Sequence, residues 1–119
     1  MHCTEITFAD PTATAKLLVK LQASTVEPIA YRVTVVNMTA SDAATSHALA
    51  VGITGAAYTD IVAAANLKSA AGTNTAAGSN PVRVATSDTT LYAVPTIVGA
   101  VTVGRAFVVV ESWPLVISQ

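Results

Sequence analysis

The stretch that decides the fold is Arg105-Ala106-Phe107-Val108-Val109-Val110-Glu111, followed by Ser112-Trp113-Pro114. An apolar run this short is a poor helix. Its valines, restricted at χ1 beside a helical turn, favour a strand instead. Pro114 then ends the ladder, since proline has no N–H to donate. In a strand, Phe107 and Val109 point to one face and Ala106, Val108 and Val110 to the other. Both faces are apolar, so both are expected to be covered.

Working outward, period-two alternation recurs. Leu17, Val19 and Leu21 alternate with Lys16, Lys20 and Gln22; Ile29, Tyr31, Val33 and Val35 alternate with Arg32, Thr34 and Val36. Beyond the polar turn Asn37 to Asp42, His47, Leu49, Val51 and Ile53 alternate with Ala48, Ala50 and Gly52. Strand, turn and strand in this order predict an antiparallel hairpin, which would cover one face of the 105–111 strand. The face of Ala106, Val108 and Val110 is then left for a second subunit, unless residues 91–103 fold over it. Shorter strands are expected at 81–86 and 89–94. Residues 95–104, studded with Pro95, Gly99 and Gly104, read as a connection with one short strand at 101–103. Residues 58–67 fit a short helix or a strand equally. The small-residue stretch 70–81 reads as a loop. About seven short strands therefore predict an all-β fold, an antiparallel β-sandwich or β-barrel-like (β-tulip) domain with room for one short helix. Residues 1–14, turned at Asp10-Pro11, read as an extended N-terminal arm and 15–119 as a single β domain.

Composition narrows the function. Ala, Thr and Val number 23, 17 and 17 of 119 residues, so the core is built from small side chains that each bury little area. Charged residues are 11% of the chain, against about 25% in ordinary soluble domains. That leaves little with which to cover a solvated surface and points to burial against other subunits. The six basic residues are scattered and the net charge is −1, which argues against nucleic-acid binding. No apolar run approaches the ~20 residues of a membrane span. The absence of a basic-then-apolar leader and the lone Cys3 fit synthesis in a reducing cytoplasm.

Chemistry-bearing residues are dispersed. His2-Cys3 has no partner ligands for zinc. His47 reads as a hydrogen-bonded structural histidine. Ser41-Asp42 and Ser46-His47 include the residue types of a hydrolase triad, without a nucleophile elbow. Gly52-Ile53-Thr54-Gly55 lacks the spacing and lysine of a phosphate loop, and Asn37-Met38-Thr39 reads as turn-forming. No catalytic, cofactor-binding or metal-binding residues are assigned, no cofactor is expected, and an enzyme is not expected.

Thr89-Thr90-Leu91-Tyr92-Ala93-Val94-Pro95-Thr96 with Gly104 to Glu111, and Tyr31 to Asn37 with its Thr/Ala/Ser-rich turn, resemble small tailed-bacteriophage virion proteins over residues 29–113. The resemblance implies a capsid decoration (cement) protein, made in the host cytoplasm and carried on the capsid surface of the virion. Its implied partners are the major capsid protein and further copies of itself, a trimer being favoured. A tail, neck or fibre-base role is the nearest alternative; a carbohydrate- or surface-binding β-sandwich module is the alternative of another class. The interface residues expected are Ile6 and Phe8 on the arm, Ala106, Val108 and Val110 on the decisive strand, and Trp113 with Leu115 as an anchor.

Overall fold

The computed structural model of the chain describes residues 1–55, 57–68 and 82–115. Among them run eight strands: β1 (His2–Thr7), β2 (Lys16–Leu21), β3 (Ile29–Thr39), β4 (Ser46–Gly52), β5 (Val62–Asn66), β6 (Arg83–Ala85), β7 (Thr89–Val98) and β8 (Arg105–Pro114). They form two four-stranded antiparallel sheets, β1-β8-β3-β6 and β2-β7-β4-β5. The first strand pairs with the last, the second with the last but one, and so inward to β4 and β5. Such a chain is a single antiparallel ribbon rolled upon itself, with β3–β8 and β4–β7 closing the roll. This is the jelly-roll form of the β-sandwich. The sheets do not close into a barrel, so of the two expected architectures the sandwich is correct.

The inner faces follow the sequence alternation. Val33, Val35, Leu49, Val51, Leu91, Ala93, Val108 and Val110 belong to one buried cluster, joined by Ile6 from β1. The expectation for β8 is corrected here. Ala106, Val108 and Val110 are 1%, 0% and 2% exposed within the single chain, so no second subunit is needed to cover them. The opposite sheet of the same molecule does so. Phe107 and Val109 form the outward face and are half-buried.

Other expectations also change. The extended arm contributes β1, which pairs along its whole length with β8 and buries Ile6 to 1% exposure, because the edge of β8 offers unpaired backbone groups; Ile6 is therefore core within the single chain. The 29–53 region is not a hairpin: β3 and β4 lie in different sheets. The 40–45 segment arches between them, which turns both apolar faces toward one core. Residues 62–66 are strand β5, no helix occurs among the described residues, and the expected loop at 70–81 lies outside them.

β7 runs through Pro95. The Ile97 N–H points away from β4, to Thr12 Oγ1 at 2.9 Å, and the Pro95 carbonyl accepts from the Ala13 N–H at 2.8 Å. Pro95 has the same parity as Ile97, so its missing N–H falls on the side where β2 has ended, and no ladder bond is lost. Residues 101–103 are not a strand. Gly52 is fixed by close approach, since a Cβ there would lie 2.6 Å from the Tyr58 carbonyl carbon.

The two faces of β8 make a direct test. Val108→Thr buries a hydroxyl and is expected to cost about 1–3 kcal/mol, whereas Val109→Thr should stay within about 0.5 kcal/mol. Leu49→Ala, at a fully buried position, is expected to cost about 2–5 kcal/mol. Urea denaturation monitored by circular dichroism separates them; equal costs at 108 and 109 would contradict the assignment of faces.

Candidate interaction surface

The outer face of the β1-β8-β3-β6 sheet is ordered by its register. Cys3, Val109 and Thr34 lie in one row, Glu5, Phe107 and Val36 in the next. One end of the stripe is marked by Arg105, whose Nε donates to Glu5 Oε2 at 2.6 Å and whose guanidinium carbon stands 4.9 Å from the Phe107 ring centre. The other end is marked by Arg32, whose Nη2 donates to Glu111 Oε1 at 3.1 Å. All four charged side chains are well exposed. Each pair is therefore worth about 0–1 kcal/mol to the fold; their larger effect is to border an apolar stripe.

Past Glu111 the face becomes an exposed apolar end. Trp113 and Val84 flank Ala30 from neighbouring strands and hold it at 1% exposure although it points outward. Trp113, Val84 and Leu115 are 38%, 52% and 39% exposed. Beside them a cleft of about 450 Å³ is walled by Val26, Pro28, Ile29, Pro114 and Leu115, with Gln22 and Glu27 as its polar part. The Leu115 N–H donates to the Pro28 carbonyl at 3.0 Å, joining the two walls.

Of the interface residues expected from sequence, the structure brings Trp113 and Leu115 together at this end and leaves Phe8 exposed on the turn after β1. Ile6, Ala106, Val108 and Val110 are core. Sequence reasoning missed Phe107, Val109, Val36 and Val84. A usable signal existed for the first two: Arg105 and Glu111 have the same parity as Phe107 and Val109, so the charges already marked that face as the outer one.

The Ser41, Asp42 and His47 group serves architecture. His47 is 2% exposed, with Nδ1 2.8 Å from Ser41 Oγ. The Asp42 carboxylate turns elsewhere: it accepts from the Thr102 and Val103 N–H groups at 2.7 and 2.9 Å and from the Thr102 hydroxyl. No relay from carboxylate to imidazole forms. Instead the group clasps the 40–45 arch to the 98–103 segment, aided by the Ala44 N–H to Ala100 and Thr45 N–H to Val98 carbonyl bonds, both 3.0 Å. Among the described residues, no three His, Cys, Asp or Glu side chains gather where they could hold a metal ion.

On the other sheet the Tyr58 and Tyr92 rings meet at 4.8 Å between centres, tilted by 37°. Leu17 lies across the ladder from Tyr92. Tyr58 has φ of 50°, a left-handed conformation costly for an aromatic residue.

Both clasp residues titrate away from their ordinary values. Hydrogen bonds from the Thr102 hydroxyl and from backbone hold the Asp42 carboxyl at about 2. Burial, with the Lys68 charge behind it, lowers the His47 imidazole below 6.5. A depressed imidazole means that the unfolded chain binds more protons between the two values, so stability falls as pH drops from about 6.5 through the folded-state value. Asp42 adds a second loss as pH falls from 3.8 to about 2. In thermal unfolding from pH 7 to 5, His47→Gln is expected to flatten the decline; an unchanged slope would contradict this assignment.

Compared with protein-family models, with curated proteins and with solved structures, the chain matches none.

Proposed function

We propose that the protein is a virion structural protein of the capsid-decoration type, docking on the outer lattice by the apolar end formed by Trp113, Val84, Leu115 and Val26. The observation that carries this reading is the grouping at that end: Trp113, Val84, Leu115 and Val26 are all exposed there, and Val26 and Leu115 wall the cleft. Trp is the side chain most enriched at binding hot spots, and a protein that binds the assembled shell adds to its stability by linkage. The resemblance of the β3, β7 and β8 segments to small phage virion proteins supports the same reading. So does the jelly-roll topology, frequent in viral capsid domains, though by fold-level analogy that lectins share. A tail, neck or fibre-base role differs in stoichiometry: decoration requires hundreds of copies per particle, those roles six or twelve.

A second reading, a glycan- or surface-binding module, is favoured by one observation, the Tyr58–Tyr92 pair beside Leu17. A glycan array distinguishes it, with hits abolished by Tyr92→Ala.

For the decoration reading, purified chain is expected to co-sediment with shells of the phage whose particles carry it and to raise their heat resistance. Trp113→Ala is expected to weaken that binding about 30-fold, equivalent to about 2 kcal/mol. Shells that neither bind the chain nor change in stability would overturn it.

A further inference from the structure

Along β8 itself, the central strand of the outer face, charge stands at both ends and none between, with Glu5 of β1 beside Phe107 and bonded to Arg105. Along the outward side of β8 the order is Arg105, Phe107, Val109, Glu111. Read from the opposite end it is acid, valine, phenylalanine, base. The stripe is therefore complementary to itself when reversed. Each guanidinium is bonded to its carboxylate through a single nitrogen, Nε in Arg105 and Nη2 in Arg32, and a guanidinium has five N–H donors. All four charged side chains remain open enough to take a further partner.

We infer that this face is the seat of a second copy of the chain, packed face to face about a two-fold axis with the two β8 strands antiparallel. In that arrangement Phe107 lies over Val109 of the second copy, and Arg105 over its Glu111, twice by symmetry. A two-fold contact requires this self-complementarity, each patch meeting itself reversed. The parallel alternative sets Arg105 over Arg105 and Glu111 over Glu111, which like-charge repulsion disfavours.

Pairing centred on Val108 shares residues 105–111 of β8 with β1 and the matching part of β3, a face about 23 Å long and about 14 Å wide. That is about 300 Å² per copy, the size of a weak, reversible contact. Trp113 sits at the rim, so the pair leaves the apolar end available. The inference goes beyond the decoration reading and does not rest on it. A pair takes the place of the trimer favoured by the resemblance.

The test is analytical ultracentrifugation of the full chain, without capsid, up to about 1 mM. The wild type is expected to pass from 12.1 kDa to twice that mass as concentration rises. Val109→Asp should keep its circular dichroism spectrum and stay monomeric. Arg105→Glu and Glu111→Arg should each weaken association about tenfold or more, and an equimolar mixture of the two should associate as the wild type does, since opposite charges then face each other in the mixed pair. Should Val109→Asp fail to fold, the charge-reversal mixture decides. A wild type that is monomeric throughout or trimeric, a folded Val109→Asp that still pairs, or a mixture no tighter than its components would each overturn the inference. Because no capsid is present, these results are separable from lattice docking: either reading can fail while the other stands.

Discussion

β8 is laddered on both edges, to β1 along one and to β3 along the other, and the rest of the molecule depends on that double pairing. It places Ala106, Val108 and Val110 in the centre of one sheet, facing Leu49, Val51 and Leu91 of the other. Side chains this small bury little area singly, so the core holds only if the two sheets approach closely over their whole extent. Ile6, Tyr31, Leu18 and Leu21 belong to the same cluster. The scarcity of aromatics is thereby explained: a thin sandwich has room for valine and alanine layers and for few large rings.

Much of this is legible in the sequence and some is not. Period two identifies β3 and β4, because each buries one face and the pattern records it; β8 is identified by its short valine run, and in β2 a bulge between Leu17 and Val19 exposes Leu17 and buries Leu18 instead. Sheet membership is not recorded in the same way. A strand–turn–strand segment has the same alternation whether it forms a hairpin or arches between sheets, and the arch at 40–45 is decided by distant partners, Thr102 and Val103. β5 was ambiguous because alanine suits a helix as well as an exposed strand. Pro95 misleads for a local reason, its donorless nitrogen lying where β2 has ended.

The interaction surface divides similarly. Trp113 and Leu115 could be picked out by residue type. The outer face of β8 could not be assigned while both its faces looked apolar, although the parity of Arg105 and Glu111 held the answer. Ser41, Asp42 and His47 have the residue types of a hydrolase triad without its nucleophile elbow, and the carboxylate bonds to the 102–103 backbone while the imidazole meets the serine. Composition resembles chemistry here only until the orientation of one side chain is known.

Rolling the ribbon has a kinetic consequence. Glu5 and Arg105, in contact across β1 and β8, are a hundred residues apart in the chain, and most other pairings are also long-range; only β4 and β5 are near neighbours in sequence. Closing long loops before any contact rewards them is slow, so such a topology folds in milliseconds to seconds rather than microseconds. Loop-closure cost is least at the β4–β5 turn, which favours a start there and the pairing of β1 with β8 last. Until β8 is in place, one edge of β3 is unpaired on a chain with little charge to keep it apart from its neighbours. Pairing of β8 thus closes the edge most open to aggregation.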